Sequence, residues 1–174
     1  MGELVVRAAT VDDGGRIGQI TVDGWRWAYA GILNRETLDA LDPRARGDWW
    51  AAWIAEGSPG GTTLVAERDG TVVGFVNHGR SQDPGAAATT GEVRAIYIDP
   101  AVHGTGVGAA LMNRALADLA RQGYRDATLW VFEANPIGRD FYARGGWRPD
   151  GAAKEETFGT SEGRAEIRLR RLLP

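Results

Sequence analysis

The chain has 174 residues, of which 43% are hydrophobic and 25% are charged, and its formal net charge is −3. This length favours a single domain over residues 1–174 with a sizeable core, and the composition is that of an ordinary globular protein. The small excess of acidic residues argues against nucleic acid as a partner, because phosphate contacts need a basic face. No apolar run approaches the roughly 20 residues of a membrane span, so no membrane partner is expected.

The numbers of cysteine, histidine and lysine residues limit the kinds of functional site that the protein can have. Cysteine is absent and histidine occurs only at His78 and His103, which excludes disulfides and cysteine nucleophiles and argues against a metal site. The N-terminal segment MGELVVRAAT lacks a basic region followed by a long apolar core, so no signal peptide is predicted and a cytoplasmic location is expected. Almost every basic residue is arginine, and Lys154 is the only lysine.

The first part of the chain predicts one strand followed by helices. Residues 4–7 form a short apolar strand, and residues 13–30 keep helical spacing of apolar positions behind two acidic residues. The glycines in that helix predict a broken or mobile segment. Two further helices are expected, over residues 35–41 and from Asp42-Pro43 onward.

The middle of the chain predicts three consecutive strands. Residues 62–78 contain two strands around Asp69-Gly70, which is the sequence signature of a type I′ hairpin turn. The small residues at 81–90 predict a mobile loop, and 91–99 is the next strand.

Helices and strands alternate in the second half. A glycine-rich turn leads into a helix that ends near Gln122, and a short apolar strand follows at 128–132. Residues 135–144 predict a helix with proline in its first turn, and the last strands are expected at 147–149 and 165–170. This order of elements predicts an α/β domain with a mixed sheet that is antiparallel in its first half.

The stretch from Ile96 to Leu111, IYIDPAVHGTGVGAAL, joins a strand, a glycine turn and a helix. Such a connection presents unpaired backbone N–H groups at a helix N-terminus, where an anion such as phosphate binds. A nucleotide P-loop needs a lysine where this chain has Ala109, and a dinucleotide fingerprint needs a different glycine spacing. Two interpretations remain, a cradle for a pyrophosphate and a tight turn that binds nothing.

The same stretch resembles the acyl-CoA loop of the GCN5-related N-acetyltransferases, the GNAT family. That loop has Arg or Gln, two residues, Gly, one residue, and Gly or Ala; His103 at its first position is the departure here. A second match lies downstream, where NPIGRDFYARGGW at 135–147 resembles the family's Asn, its helix ending in Phe-Tyr and its Gly-aromatic pair. The element order is similar over essentially the whole chain. The resemblance implies the GNAT fold, an α/β fold in which a mixed, mostly antiparallel sheet is flanked by helices and its strands 4 and 5 are splayed apart.

The resemblance also implies acetyl-CoA as co-substrate, without a metal. In the family, the pantetheine arm lies along the splayed strand like an added strand, and the loop binds the pyrophosphate chiefly through backbone N–H groups. A strand N–H near Ile96 would polarise the thioester carbonyl and its developing oxyanion. The residues assigned to acetyl-CoA in this way are Ile96, Tyr97, Ile98, His103, Gly104, Thr105, Gly106, Val107, Gly108, Asn135 and Tyr142.

Two catalytic roles follow from the resemblance. Tyr142 matches the family's tyrosine that faces the CoA sulfur and can protonate the departing thiolate, with a packed aromatic residue as the plain alternative. Glu92 is the candidate base, because it precedes Ile96 by four residues and shares its face when no bulge intervenes. Burial would raise its pKa, and an exposed strand-end carboxylate is the plain alternative. Glu133 and a water molecule are the other candidates for the base.

The acceptor site is expected near Trp25 and Tyr29, which are spaced i, i+4 and share a helix face. Plain core packing is the other interpretation of this pair. The acceptor is expected to be a primary amine of a small molecule or peptide. Because members of the family are often dimers, the resemblance allows a homodimer. A non-catalytic acyl-CoA-binding or regulatory domain of the same fold is the second functional class.

Overall fold

A computed structural model describes residues 2–174, in which seven strands form one sheet flanked by five α-helices. The helices are Gly14–Ala28 (α1), Arg35–Asp39 (α2), Pro43–Ala55 (α3), Val107–Arg121 (α4) and Pro136–Arg144 (α5). The strands are Leu4–Ala8 (β1), Gly61–Arg68 (β2), Thr71–Arg80 (β3), Thr90–Ile98 (β4), Asp126–Phe132 (β5), Arg148–Phe158 (β6) and Ser161–Leu172 (β7). Within these residues, no helix is long and apolar enough to cross a membrane.

The sheet is mixed and mostly antiparallel, as predicted. Its strand order is β1-β2-β3-β4-β5-β7-β6, and only the β4–β5 pair is parallel among the described strands. The hairpin between β2 and β3 turns at Asp69 and Gly70, which have φ values of 51° and 77°. Two consecutive positive φ values are those of a type I′ turn, so the turn prediction is confirmed.

The sheet splits between β4 and β5. These strands pair only where Thr90, Gly91 and Glu92 lie opposite residues 126–128. Beyond Glu92, β4 remains paired with β3 and β5 remains paired with β7. The two strands therefore diverge toward their C-terminal ends, and the prediction of splayed strands is confirmed.

The helices cover the two faces of the sheet. On one face, α4 buries Leu111, Ala115 and Leu119 against residues of the central strands such as Val76 and Val93, and α5 packs against the same cluster. We call this the α4 face. On the other face, α1 and α3 pack around a smaller buried cluster that consists of Ile17, Ile20, Trp50, Val65, Val72 and Phe75. We call this the α1 face.

Helix α1 is continuous, which corrects the expectation of a broken or mobile segment. Two of its glycines serve the contact with α3, because a Cβ at Gly18 would collide with the backbone of Gly47, and one at Gly14 would collide with Ala51. Small residues at a helix crossing let the two backbones approach closely, and this packing compensates for the low helix propensity of glycine.

The last two strands are longer than predicted and form one hairpin. Its tip packs on the start of α2, where the Asn34 backbone N–H donates to the Ser161 hydroxyl at 2.8 Å. The Thr37 hydroxyl donates to the Phe158 carbonyl at 3.0 Å. These contacts between distant parts of the chain order a polar segment whose own sequence gives only a weak strand signal.

The loop that precedes β4, expected to be mobile, is held against the α1 face by side chains. The Gln82 N–H donates to Glu92 at 2.7 Å, and the Trp130 indole N–H donates to Asp83 at 2.9 Å. Asp83 also forms an ion pair with Arg168 at 2.9 Å. Three separate contacts therefore fix this loop over the sheet.

Candidate active site

A cleft of about 510 Å³ lies at the split between β4 and β5. It is bounded by the end of α1, the end of β4, the glycine turn, the first turn of α4, and α5. Most of the predicted site residues line it, namely Tyr29, Ile96, Tyr97, Ile98, His103, Gly104, Gly106, Val107, Gly108, Asn135 and Tyr142. The predicted residues Trp25, Glu92 and Thr105 are not part of its lining.

The glycine turn keeps its backbone bare. Gly104 and Gly106 have φ values of 77° and 87°, in the left-handed region that favours glycine. A Cβ at either position would have no atom within 4 Å, so the surface there is open to an approaching ligand. The strand before the turn stops because the Asp99 carboxylate accepts the Ala101 N–H at 2.9 Å and the following residue is proline.

The start of α4 offers free donors to this open surface. The N–H groups of Val107, Gly108 and Ala109 have no acceptor among the hydrogen bonds of residues 2–174, and the cap residue Gly106 has no side chain to supply one. Unpaired N–H groups and the positive end of the helix dipole together suit an anion. The geometry therefore fits a phosphate-bearing ligand.

Trp27 joins α1 to the glycine turn at the mouth of the cleft. Its ring centroid lies 4.5 Å from that of His103, and the side chain is 43% exposed. Trp25 instead packs against Tyr29 at 5.3 Å and Phe158 at 5.9 Å. The spacing of Trp25 and Tyr29 predicts their contact correctly, but Trp27 is the tryptophan that lines the cleft.

Thr105 supports the turn from its outer side. Its hydroxyl donates to the Val102 carbonyl at 2.7 Å and accepts from Arg68 at 3.3 Å.

Asn135 caps α5 and also lines the cleft. Its side-chain oxygen accepts the Gly138 N–H at 3.0 Å, and the residue is buried at the start of α5. The N-cap role is therefore present at Asn135, next to the site.

Tyr142 of α5 lines the cleft at the split. Its ring packs against the buried cluster of the α4 face, while its hydroxyl has no hydrogen-bond partner among residues 2–174. Burial raises the pKa of the Tyr142 phenol, and the nearby Tyr97 adds to the increase. The phenol thus remains protonated at neutral pH, which is the state that a proton donor needs.

A bulge in β4 changes which face Glu92 occupies. Val93 and Ala95 pair with two adjacent residues of β3. Arg94, which lies between them, has no partner on that strand and is therefore an extra residue. Val93 and Ile96 both pack on the α4 face, which a regular strand does not allow for residues three apart. The expectation that Glu92 shares a face with Ile96 is therefore wrong.

Glu92 lies instead on the α1 face, beneath the loop that precedes β4. It is 8% exposed, and its carboxylate accepts the Gln82 N–H at 2.7 Å. Burial raises the pKa of this carboxyl, although the hydrogen bond from Gln82 acts against the increase. Glu133, the other carboxylate considered, is exposed and faces a different depression beside α5.

Sequence patterns do not single out Glu166, a second and largely buried carboxylate near the cleft. It pairs with Phe132 across β5 and β7, and its side chain is 12% exposed. The Tyr29 and Tyr97 hydroxyls meet at 3.3 Å. Burial is the main cause of the raised pKa of both phenols, and the Glu166 carboxylate contributes to both. The alternation of β7 is the only signal that could have placed Glu166 on this face.

The described residues contain no group of three or more His, Cys, Asp or Glu side chains arranged to hold a metal ion. The donors at the cleft are backbone N–H groups and tyrosine hydroxyls, which suit an organic phosphate ester rather than a metal.

Comparison with known proteins agrees with this geometry. The sequence profile of the acetyltransferase (GNAT) family matches residues 23–147. An uncharacterised N-acetyltransferase, YuaI of Bacillus subtilis, is 30% identical over 135 residues, which are 76% of this chain and 74% of the relative. The mycothiol acetyltransferase of Thermobispora bispora is 37% identical over 61% of this chain, which spans only 34% of that relative.

The fold is also shared with solved structures. The PaiA N-acetyltransferase of Thermoplasma acidophilum, solved in complex with coenzyme A, has a TM-score of 0.76 at 20% identity, covering 98% of this chain and 99% of that chain. At this identity the likeness concerns the fold, whereas the profile match and the Bacillus relative concern the family. The chain belongs to the GNAT family of acetyltransferases, whose members use acetyl-CoA as co-substrate.

Proposed function

We propose that residues 1–174 form a single domain that transfers the acetyl group of acetyl-CoA to a primary amine of a small molecule or peptide. The transfer is a direct attack within a ternary complex, without an acetylated enzyme. The observation that carries this proposal is the split between β4 and β5, because free N–H groups lie at one end of its cleft and the Tyr142 hydroxyl lines it.

Donor binding uses backbone groups. The N–H groups of Val107, Gly108 and Ala109 hold the pyrophosphate of acetyl-CoA, with the dipole of α4 adding to the attraction. The pantetheine arm lies along the edge of β4 that β5 leaves free, and it satisfies strand groups that have no partner on β5. The coenzyme A complex of the Thermoplasma acidophilum relative supports this use of the fold.

The chemical step moves one acetyl group and balances its protons. The neutral amine attacks the thioester carbon, and a strand N–H near Ile96 stabilises the oxyanion of the tetrahedral intermediate. The C–S bond then breaks, Tyr142 donates its proton to the departing thiolate, and the attacking nitrogen releases its second proton, which returns to the Tyr142 phenolate through solvent. The amine loses a proton to a base beforehand, because an ammonium ion is not a nucleophile.

Glu92 is the base in this proposal, either directly or through a water molecule. Its burial and raised pKa support the role, because a base with a pKa closer to neutrality accepts a proton more readily. Glu133 is the weaker candidate, since it is exposed and faces the depression beside α5.

The assembly and location belong to the same proposal. The family resemblance supports a homodimer, which light scattering of the purified chain tests directly. It also supports a cytoplasmic enzyme without a nucleic-acid partner, which cell fractionation and a nucleic-acid binding assay test.

The decisive experiment separates binding from transfer. Acetyl-CoA binding is measured by calorimetry, and release of the CoA thiol is then followed with a panel of amines that includes amino acids, polyamines, peptide N-termini and amine-bearing antibiotics. We expect micromolar binding and amine-dependent thiol release. Failure to bind acetyl-CoA contradicts the proposal outright.

The alternative function predicts a different pattern. A non-catalytic acyl-CoA-binding or regulatory domain binds acetyl-CoA but releases no thiol with any amine. Mass spectrometry of the amine products distinguishes the two outcomes, because only an enzyme adds an acetyl group to its acceptor.

A further inference from the structure

Three side chains on the α1 face form a niche beside the cleft. Lys154 of β6 lies opposite Glu166 of β7, which lies opposite Phe132 of β5. Paired residues of antiparallel strands point to the same face, and so does Trp130, two residues before Phe132. We call the set of Trp130, Lys154 and Glu166 the ammonium niche.

The chain's only lysine occupies this niche. The Lys154 ammonium lies 4.5 Å from the centroid of the Trp130 ring, within the range of a cation–π interaction. It is 3.5 Å from a Glu166 carboxylate oxygen and 2.6 Å from a Glu156 carboxylate oxygen. The ammonium is therefore shared between two carboxylates and is held more closely by Glu156.

Glu166 is largely but not fully buried, with a side chain that is 12% exposed, and it has few hydrogen-bond donors. Its one ion pair in the described part of the chain is with Lys154, and no other side chain or backbone N–H donates to it there. A buried carboxylate normally has several close donors, because its desolvation is costly. The Glu166 carboxylate can therefore accept a second cationic partner.

Aromatic contacts connect the niche to the cleft. Phe132, which neighbours Glu166, packs edge-on against Tyr29 at 4.8 Å. The Tyr29 hydroxyl meets that of Tyr97 at 3.3 Å, and both tyrosines line the cleft. The other nearby cation, Arg168, is already neutralised by Asp83 and Asp150 at 2.9 Å each.

We propose that Trp130 and Glu166 form the subsite for the positively charged amine of the acceptor, and that Lys154 is a resident ammonium which the acceptor displaces toward Glu156. The ligand class is an alkylammonium ion, of which the Lys154 side chain is the built-in example. This inference rests on the proposed function, because it assigns a binding place to the acceptor of that reaction.

The first test measures binding without turnover. The protein is saturated with coenzyme A, which carries no acetyl group, and the affinity for n-butylammonium is measured by ligand-observed NMR. A pH of about 8.5 keeps the alkylammonium charged, as lysine is below its usual pKa of about 10.4, and keeps Glu166 ionised. Butan-1-ol is the neutral probe of the same length.

The two niche variants have opposite expected effects. Lys154→Met removes the resident cation and should tighten n-butylammonium binding by about ten-fold, since a charge-assisted contact becomes free. Adding Glu166→Gln to that variant should weaken binding by about ten-fold or more for the same reason. Butan-1-ol binding should not change. Equal affinities in all variants, or weaker binding in Lys154→Met, overturn the proposal.

The matched control is Glu155→Gln, which removes the same charge from the neighbouring, solvent-exposed position of β6. It should bind n-butylammonium as the parent chain does. A structural effect of altered charge on β6 alone would appear in this variant as well, and that result would contradict a specific niche.

Turnover gives an independent readout. With the best amine from the acceptor screen, Glu166→Gln should raise the KM for the amine about ten-fold and Lys154→Met should lower it, with kcat changing less. Unchanged KM values in an enzyme that transfers acetyl groups contradict the niche while the proposed function stands. If no amine supports transfer, the proposed function fails, and the n-butylammonium titration still decides the inference.

Discussion

The two faces of the sheet differ in what they hold. The α4 face buries an apolar cluster, beside which the His78 Nε2 atom lies 3.7 Å from an Asp118 carboxylate oxygen. The α1 face near the split instead carries Glu92, Lys154 and Glu166. The comparison indicates that the apolar cluster of the α4 face mainly stabilises the fold, whereas the charged residues of the α1 face near the split serve the chemistry. The two sets of residues meet at the gap between β4 and β5. Substitutions in the apolar cluster of the α4 face should change stability, and those at the gap or at the charged residues of the α1 face should change turnover.

Tyr142 gives the largest expected effect, because its ring belongs to the α4 face and its hydroxyl to the gap. Tyr142→Phe keeps the ring and should lower kcat about 10³-fold, within the range for loss of a general acid, while leaving acetyl-CoA affinity unchanged. Tyr124→Phe, in the same cluster but outside the cleft, is the matched control. Full turnover in Tyr142→Phe would remove the proton-donor role.

His78 should affect stability alone. It is fully buried, neither ring nitrogen has a hydrogen-bond partner in residues 2–174, and burial lowers its pKa to about 4. The unfolded chain, with a histidine pKa of about 6.5, binds the proton first, so the free energy of unfolding falls as pH drops from 6.5 toward 4, by about 3 kcal/mol.

Urea unfolding from pH 4 to pH 7 measures this dependence. His78→Leu should flatten it and leave turnover near pH 8 intact, whereas His103→Leu should retain it. If His78→Leu keeps the same slope, another group controls the acid sensitivity of the fold.

Glu92 tests the chemistry of the α1 face. Its carboxyl has a raised pKa because of burial, so the base is lost on acidification at a pH above the usual range of glutamate. Glu92→Gln should lower kcat/KM about 30-fold near pH 8, and the acidic limb of its pH–rate profile should disappear. A profile identical to that of the parent chain would make a water molecule or another carboxylate the base.

The smallest expected effect compares the two ends of α4. Gly106 and Gly123 both have φ near 90° and no neighbour within 4 Å of an added Cβ. Alanine at either position should therefore destabilise the fold by about 1 kcal/mol. Only Gly106→Ala should also weaken acetyl-CoA binding, about five-fold, because only that glycine lies at the cleft. Equal acetyl-CoA affinities in the two variants would argue against the glycine turn as the donor site.

Local signals in the sequence were sufficient for much of the fold. Asp69-Gly70 fixes a turn by its backbone preferences, and Asp99-Pro100 ends β4 because a side chain caps the turn and proline removes a donor. Asn135 likewise begins α5 by capping it. Each of these features depends only on residues that are close in the sequence, so each can be predicted from the sequence.

The errors arose where distant residues decide the outcome. The bulge at Arg94 moves Glu92 to the other face, and a bulge depends on the partner strand rather than on the residues around it. Glycines within α1 predict a break in the helix, because the partner of Gly18, Gly47, lies on another helix and cannot be identified from the sequence. The sequence around Glu166 does not predict a functional role, because the tyrosine whose pKa it affects, Tyr29, is far away in the sequence.

The presence of a single lysine affects how readily the side chains of the protein are themselves acetylated. The thioester of acetyl-CoA acetylates unprotonated amines. Lys154 carries the only side-chain amine in this sequence that could react in this way. Burial works against the charged form of Lys154, but the contacts with Glu156 and Glu166 raise its pKa overall and keep the nitrogen protonated. Arginine, which supplies almost every other positive charge, stays protonated at all relevant pH values. An acetyltransferase of this composition carries its positive charge while presenting almost no side chain that its own donor can consume.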